Sequence, residues 1–395
     1  MVRYHVPSQI YIRKLLPMGY GYPLYYTEPP SNLPLAYRKK GISIGDVGFI
    51  RPDGSFVFTF NMFAPCAGTA QEVNCFGIPK GFVPLQLDPQ QLERIHDKYP
   101  KESNFGTGTS TTTTAATPFC TSSSTAISFE NAFLTVPDGA MGEDYCDIAS
   151  IRSYSIKHAE SWYEFINGHL GFEAPNGSLY VVTGCDKSNK WMIATDEESS
   201  SSLLLSTLTV EAGGRMIYSH SSIKMGSAVV RSSTSSGLDD DMKQLQNQCL
   251  FVRGFKVMLR DEPNAWGKLG ARVRSIPSHI GLLRTQSARF PRTLSARKDW
   301  ISRLRNAFGL AEQLDSFEEI HPYAAYHPLD RINEYLLKQT QARVAITHES
   351  DWRPLSPGTT LASGDGMLRR LITFYAPSLE LGSYSNLSRV IGSAF

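Results

Sequence analysis

The densest group of reactive side chains lies near the end of the chain, where Val344-Ala345-Ile346-Thr347 runs into His348-Glu349-Ser350-Asp351-Trp352. A histidine and an aspartate just past a β-branched strand are what hydrolytic chemistry would use, an imidazole to take a proton and a carboxylate to orient it. The same pattern also describes a loop histidine satisfied by its neighbours. No HxxxH or HxH lies near it, so His348 with Glu349 and Asp351 does not make a metal site. No Walker loop, GxGxxG after a strand, GxSxG elbow, HExxH or kinase set occurs anywhere. A Ser/His/Asp set assembled from 9 histidines and many serines carries no weight without a local signature. Cys66, Cys75, Cys120, Cys146, Cys185 and Cys249 are widely spaced without a CxxC, which points to reduced thiols. Asp239-Asp240-Asp241 lacks the alternating ligands of a calcium loop. No cofactor and no metal is expected, and a non-catalytic protein is favoured over an enzyme.

Charge gives a second candidate. The formal net charge is only +2, so neither nucleic acid nor an acidic surface is implied globally. Residues 260–305, however, hold 11 Lys and Arg against three acidic residues. Arg284, Arg289, Arg292, Arg297 and Lys298, interleaved with Leu282, Leu283, Phe290 and Leu294, are candidate contacts for an anionic membrane surface or another anionic partner. A solvated loop leading into a helix at 295–314 is the plainer reading. No specific nucleic-acid partner is predicted.

The elements that must position these residues centre on 161–195. Ala159, Trp162, Tyr163 and Ile166 recur at helical spacing and Asn167-Gly168 ends the helix. Asn176-Gly177 predicts a hairpin turn, Leu179-Tyr180-Val181-Val182-Thr183 a central strand broken by Gly184, residues 185–190 a polar turn, and Trp191 to Ala194 a second strand. Trp162, Asn176, Gly177, Tyr180, Gly184 and Trp191 are the structural markers of this stretch.

Three blocks carry a resemblance: SIGDVGFIxPDGSFxFxFN from Ser43, SWYxFxNGxxGxxxxNGSLYxVTGCDKxxxW from Ser161, and VAITHxSDW from Val344. Together they resemble an uncharacterised family of hypothetical proteins from mushroom-forming fungi. That resemblance implies an intracellular protein and nothing about chemistry. The LYVVTG strand at Leu179 is also similar to a strand of fungal gasdermin-like pore-forming proteins, which would imply membrane perforation.

Along the rest of the chain, residues 1–40 are rich in Tyr, Pro and Gly and predict an extended arm without regular helix. Pro52-Asp53-Gly54 joins two strands, with Phe56, Phe58 and Phe60 on one face. Leu87, Leu92 and Ile95, behind Asp88 as N-cap, predict a short helix over 86–99. Residues 103–128 are Ser/Thr-rich, a flexible loop or, alternatively, a polar hairpin of the kind that lines a barrel lumen. Leu203 to Val210 and Arg215 to His220 predict a hairpin through Gly213-Gly214, and Gln248 to Leu259 a long buried strand with a bulge at Gly254. A helix over 329–338 and a strand over 343–347 follow.

The expected architecture is α+β: a mainly antiparallel β-rich core over 41–259 with Ser/Thr-rich insertions at 103–128 and 230–241, then a basic segment, helices and a final strand over 260–395. The N-terminus lacks the apolar run of a secretory signal and no window is long enough for a transmembrane helix, which predicts a cytoplasmic protein. Three functions follow: a non-catalytic binding protein of unknown partner, a regulated membrane-perforating protein, or a hydrolase using His348 and Asp351.

Overall fold

The computed structural model describes residues 7–65, 73–106, 108–117, 120–129, 131–196, 201–212, 215–225, 228–233, 244–260 and 327–352. Strand β1 is Tyr22–Pro23, β2 is Asp46–Ile50, β3 is Phe56–Asn61, β4 is Leu92–Tyr99, β5 is Ser103–Phe105 and β6 is Gly108–Thr117. Then come β7 (Cys120–Phe129), β8 (Ala132–Val136), β9 (Ala140–Tyr145), β10 (Leu179–Ser188) and β11 (Met192–Thr195). The last strands are β12 (Ser201–Ala212), β13 (Arg215–Met225), β14 (Val229–Ser232), β15 (Gln248–Leu259) and β16 (Val344–His348). The longer helices are α1 (Pro7–Leu15), α2 (Leu35–Lys40), α3 (Ile148–Glu164) and α4 (Pro328–Gln339). The α+β class and the antiparallel pairing are as the sequence predicts.

Three sheets form. The main one runs β1-β15-β10-β2-β3, with β16 also on β15, and β9 joining β10 to β4. The final strand over 343–347 thus returns to the main sheet. Alternate residues of β10 point to opposite sides: Leu179 and Val181 pack with α3, Phe255 and Ile346, while Tyr180 and Val182 pack with α1, Tyr22 and Phe251. Covering both faces explains why the strand reads as an unbroken apolar run. On α3, Ile151, Ala159, Trp162 and Tyr163 are buried, and the Trp162 ring meets Phe60 edge-on at 5.5 Å.

Several local readings are corrected. The 1–40 segment is not an extended arm throughout: α1 and α2 form within it, and α1 buries Tyr11, Ile12 and Leu15. Pro7 sits at the first helical position and Pro17 lies just past the end, both compatible with a short helix. Over 86–99, Asp88 does cap a short turn by accepting from the Gln90 N–H, but the chain then becomes β4 and pairs with β9. Its apolar spacing does not mark a buried helix face, since Leu87 and Ile95 remain exposed. A bulge at Thr59 puts Phe56 and Phe58 on one side of the sheet and Phe60 on the other. Gly184 does not end β10 and residues 185–188 are strand, not turn; Thr183 is the extra residue of a bulge between Val182 and Gly184, opposite Gly254 and Arg253.

Asn176-Gly177 is a turn without being a hairpin loop. Gly177 takes φ +88° and its N–H donates to Tyr163 Oη at 2.8 Å. The Asn176 amide meanwhile donates to the Leu259 carbonyl at 2.6 Å and accepts from the Leu259 N–H at 2.9 Å, finishing the β15 ladder with a side chain.

Between α2 and β2, buried Asp46 accepts from Tyr37 Oη at 2.9 Å, the Ser43 N–H at 2.8 Å and Asn61 Nδ2 at 2.8 Å. Burial pushes its carboxyl up to about 6 against the pull of these donors. The folded protein therefore holds a proton there that the unfolded chain releases near 3.8, and this site's contribution to stability falls as pH rises from about 4 to about 6. Denaturant unfolding of wild type and Asp46→Asn at pH 4 and pH 7 should differ in pH dependence by roughly 2 to 3 kcal/mol. Equal slopes in the two proteins would contradict the assignment.

Candidate functional site

Two polar networks lie on the β10–β15 pair. The first is ionic. Arg253 on β15 reaches Asp186 on β10 at 2.8 Å and Asp144 on β9 at 2.5 Å. Lys98 adds a 2.9 Å contact to Asp186, and Tyr99 Oη donates to the same carboxylate at 2.8 Å. The Asp186 side chain is fully buried, whereas Asp144 is 38% exposed, so the Asp186 arm carries the energetics. Burial works against the guanidinium charge, and the carboxylates of Asp186 and Asp144 outweigh it and hold Arg253 above its ordinary range. Gly184 lies where a β-carbon would sit 1.9 Å from the Asp144 carboxylate and 2.9 Å from Arg253 Nε. Next to it Lys187, also buried, pairs with Glu143 at 3.4 Å, and Glu143 meets Arg94 at 2.9 Å. Burial raises the Cys185 thiol to about 11, so it is no ready nucleophile.

The second network holds the segment 327–352. The His348 Nδ1 accepts from the Ser350 N–H at 3.2 Å, which places its proton on Nε2, 2.8 Å from Thr183 Oγ1. Thr183 in turn donates to the Arg253 carbonyl at 3.3 Å. Both ring nitrogens are thus engaged in a buried setting, and the Asp351 carboxylate accepts from the backbone N–H of His348 at 2.7 Å. Next to it, Glu349 Oε1 accepts from Tyr180 Oη at 2.8 Å and from His327 Nε2 at 2.8 Å. His327 caps α4 through Nδ1 and stacks on Tyr22 with ring centroids 5.1 Å apart. This is a fastening of the C-terminal segment to the sheet, built from the residues that the sequence offered as a hydrolytic pair.

Of the sequence markers, Trp162, Asn176, Gly177, Tyr180 and Gly184 all meet around β10. Trp191 stands before β11 and donates from Nε1 to Gln248 Oε1 at 2.6 Å. Arg284, Arg289, Arg292, Arg297 and Lys298 lie outside the described residues, as do the helix at 295–314, the Asp239 to Asp241 run and most of the 230–241 insertion. The sequence reading does not single out Arg253 or His327, takes Asp186 as part of a polar turn and weighs Glu349 only as a metal ligand. For Arg253 and Asp186 the available signal is charge inside apolar strands, since a buried Arg or Asp needs a partner. Among the described residues, no group of three or more His, Cys, Asp or Glu could hold a metal ion.

The third feature is a ribbon. Strands β14-β11-β8-β5 form one four-stranded sheet and β13-β12-β7-β6 another. Each strand of the first precedes or follows its counterpart in the second directly along the chain, in the same lateral order. The Ser/Thr tract at 103–128 is therefore β5 with the hairpin β6–β7, not a loop, and the hairpin expected around Gly213-Gly214 is β12–β13. The two hairpins join through β7–β12 pairing, Ser201 opposite Phe129 to Val210 opposite Cys120.

No family model matches the sequence, and no curated protein matches it. The solved structures include a similarity to the cryo-EM structure of the Gasdermin A3 membrane pore, with 10% identity over 41% of this chain and a TM-score of 0.15. The match covers 62% of that structure's chain. At that score the likeness carries no weight, and nothing below rests on it.

Arg253→Met should cost about 3 to 5 kcal/mol in denaturant unfolding, because Asp186 stays buried with only Lys98 and Tyr99 opposite it. The double variant Arg253→Met with Asp186→Leu should recover much of that loss, and a double variant no better than the single would show that the pair is not the source.

Proposed function

We infer that this chain perforates membranes by laying its two joined hairpins across a bilayer. The observation that carries the reading is the ribbon: four antiparallel strands of 10, 10, 12 and 11 residues. A strand crossing the hydrocarbon core of a bilayer needs about 9 to 11 residues. No helix among the described residues is long and apolar enough to cross a membrane. Within lipid every backbone group must be paired, and here the inner strands pair on both sides. Among the described residues no strand pairs with the outer edges of β6 and β13. Four strands are too few to close a barrel, so insertion requires several copies joined edge to edge.

The body positions the ribbon. Sheet β14-β11-β8-β5 is its base, and Arg231 on β14 stacks over Tyr26 at 4.1 Å and pairs with Glu28 at 3.3 Å, tying that base to the N-terminal segment. The basic 260–305 stretch, with Arg284, Arg289, Arg292, Arg297 and Lys298, would supply the first attraction to anionic lipid from the cytoplasmic side. A non-catalytic protein that binds a partner is the reading left if no membrane activity exists.

Dye-filled vesicles of neutral and of anionic lipid test this directly, with the protein intact and after limited proteolysis. Leakage from anionic vesicles in either form is the expected result. Binding and leakage absent in all four combinations would sink the reading.

A further inference from the structure

The register of the ribbon separates its residues into two faces of different character. Cα partners on neighbouring strands share a face, as do residues two apart on one strand. Leu204 is opposite both Ile223 and Ala126, Leu208 follows four residues on, and Val210 is opposite Ile217. All six positions are therefore on one face. Over 109–117, 120–128, 202–210 and 217–225 that face carries no charged residue and no histidine, and its one charge in the paired strands is Arg215, opposite Ala212 at the tip of the second hairpin. The opposite face has Lys224 opposite Leu203, His220 opposite Thr207, and Glu211 opposite Met216, near the base, the middle and the tip of the second hairpin.

We propose that the face of Leu204, Leu208, Val210, Ile217 and Ile223 is the acyl-chain-contacting surface of this protein, and that the face of Lys224, His220 and Glu211 lines the aqueous lumen. The proposal rests on the perforation reading and adds the orientation of the ribbon to it. The physical ground is asymmetric cost. A charge on the lipid side of a spanning strand is opposed most strongly at mid-bilayer, while the same charge in a water-filled lumen is solvated and only tunes selectivity. The Ser and Thr hydroxyls on the lipid side do not upset this, because a hydroxyl is neutral and a strand can hold it against its own ladder. Pairing across strands also explains why the pattern is faint along any one of them. On β6 it is Thr and Ala on both sides, and the apolar contribution comes mainly from β12 and β13.

Leu205 on one face and Leu204 and Leu208 on the other provide the sharpest test, being the same residue type. In the full chain, Leu208→Lys, at mid-strand on the face of Leu204, should lower the leakage rate from anionic vesicles by about thirtyfold or more, while Leu205→Lys should stay within about threefold of wild type. The Leu205→Lys pore should also shift its ion selectivity toward anions. Because a charge at either site could disturb the fold in solution, the apolar pair Leu204→Trp and Leu205→Trp is measured in parallel. Extra tryptophan fluorescence quenched by lipids brominated on the acyl chain is expected for Leu204→Trp, and quenched by aqueous iodide for Leu205→Trp. Equal loss of leakage in both Lys variants together with reversed or equal quenching in the Trp pair would overturn the face assignment while leaving perforation standing. A wild-type protein that permeabilises no vesicle would remove both.

Discussion

The body of this protein depends on burying charge correctly between two strands. Strands β10 and β15 run antiparallel through the centre of the main sheet, covered on both faces, and yet they carry Asp186, Lys187, Arg253 and Lys256. Each of these needs a partner brought from elsewhere, because an unpaired charge in such a place would cost more than any one contact returns. Asp186 and Arg253 find each other across the ladder, and Lys98 comes from β4. Lys187 takes Glu143 from β9, and Lys256 takes Asp330 from α4 at 2.9 Å. The requirement thus fixes which outer elements dock and where. Gly184 serves the same requirement, since a side chain there would occupy the space that Arg253 and Asp144 share.

The C-terminal segment follows the same logic with neutral and hydrogen-bonded groups. His348 Nε2 meets Thr183 on β10, Glu349 meets Tyr180 on β10 and His327 at the start of α4, and His348 Nδ1 is held by Ser350 of its own turn. A pair of residues that a sequence reader would test first for catalysis is occupied in holding β16 and α4 against the sheet. The chemistry of an imidazole beside a carboxylate serves attachment as readily as proton transfer, and burial with engaged ring nitrogens points to attachment.

Legibility in the sequence tracked how local the determining physics is. The α3 stripe of Ala159, Trp162 and Tyr163, the Pro52-Asp53-Gly54 turn and the apolar run of β10 are set by residues close in sequence, and each was readable. The β4 strand is not legible because Leu87, Leu92 and Ile95 fall at helical spacing by chance, while the pairing with β9 that decides the outcome is some 50 residues away in sequence. The bulges at Thr59 and Thr183 were invisible for a similar reason, since a single extra residue is defined only against its partner strand. The Ser/Thr tract is the extreme case. Thr is equally at home in a polar loop and in a strand, so nothing along 108–129 alone could choose. The choice comes from the joining of β7 to β12, and the pairing of β12 with β13 then puts Lys224, His220 and Glu211 on one side, with Arg215 at the tip on the other.

The ribbon is the part of the molecule least explained by its own core. Its strands leave a base sheet held by Phe133, Met192 and Ala194 and by Arg231 over Tyr26, and they end in paired hairpins whose outer edges meet no other strand among the described residues. A bilayer and further copies of the chain would satisfy both needs at once. Amide hydrogen exchange with and without anionic vesicles tests this most directly. The account predicts new protection at 108–129 and 201–225 on adding vesicles, with β10 and β15 unchanged. Vesicle leakage with no gain of protection in those two stretches would contradict it.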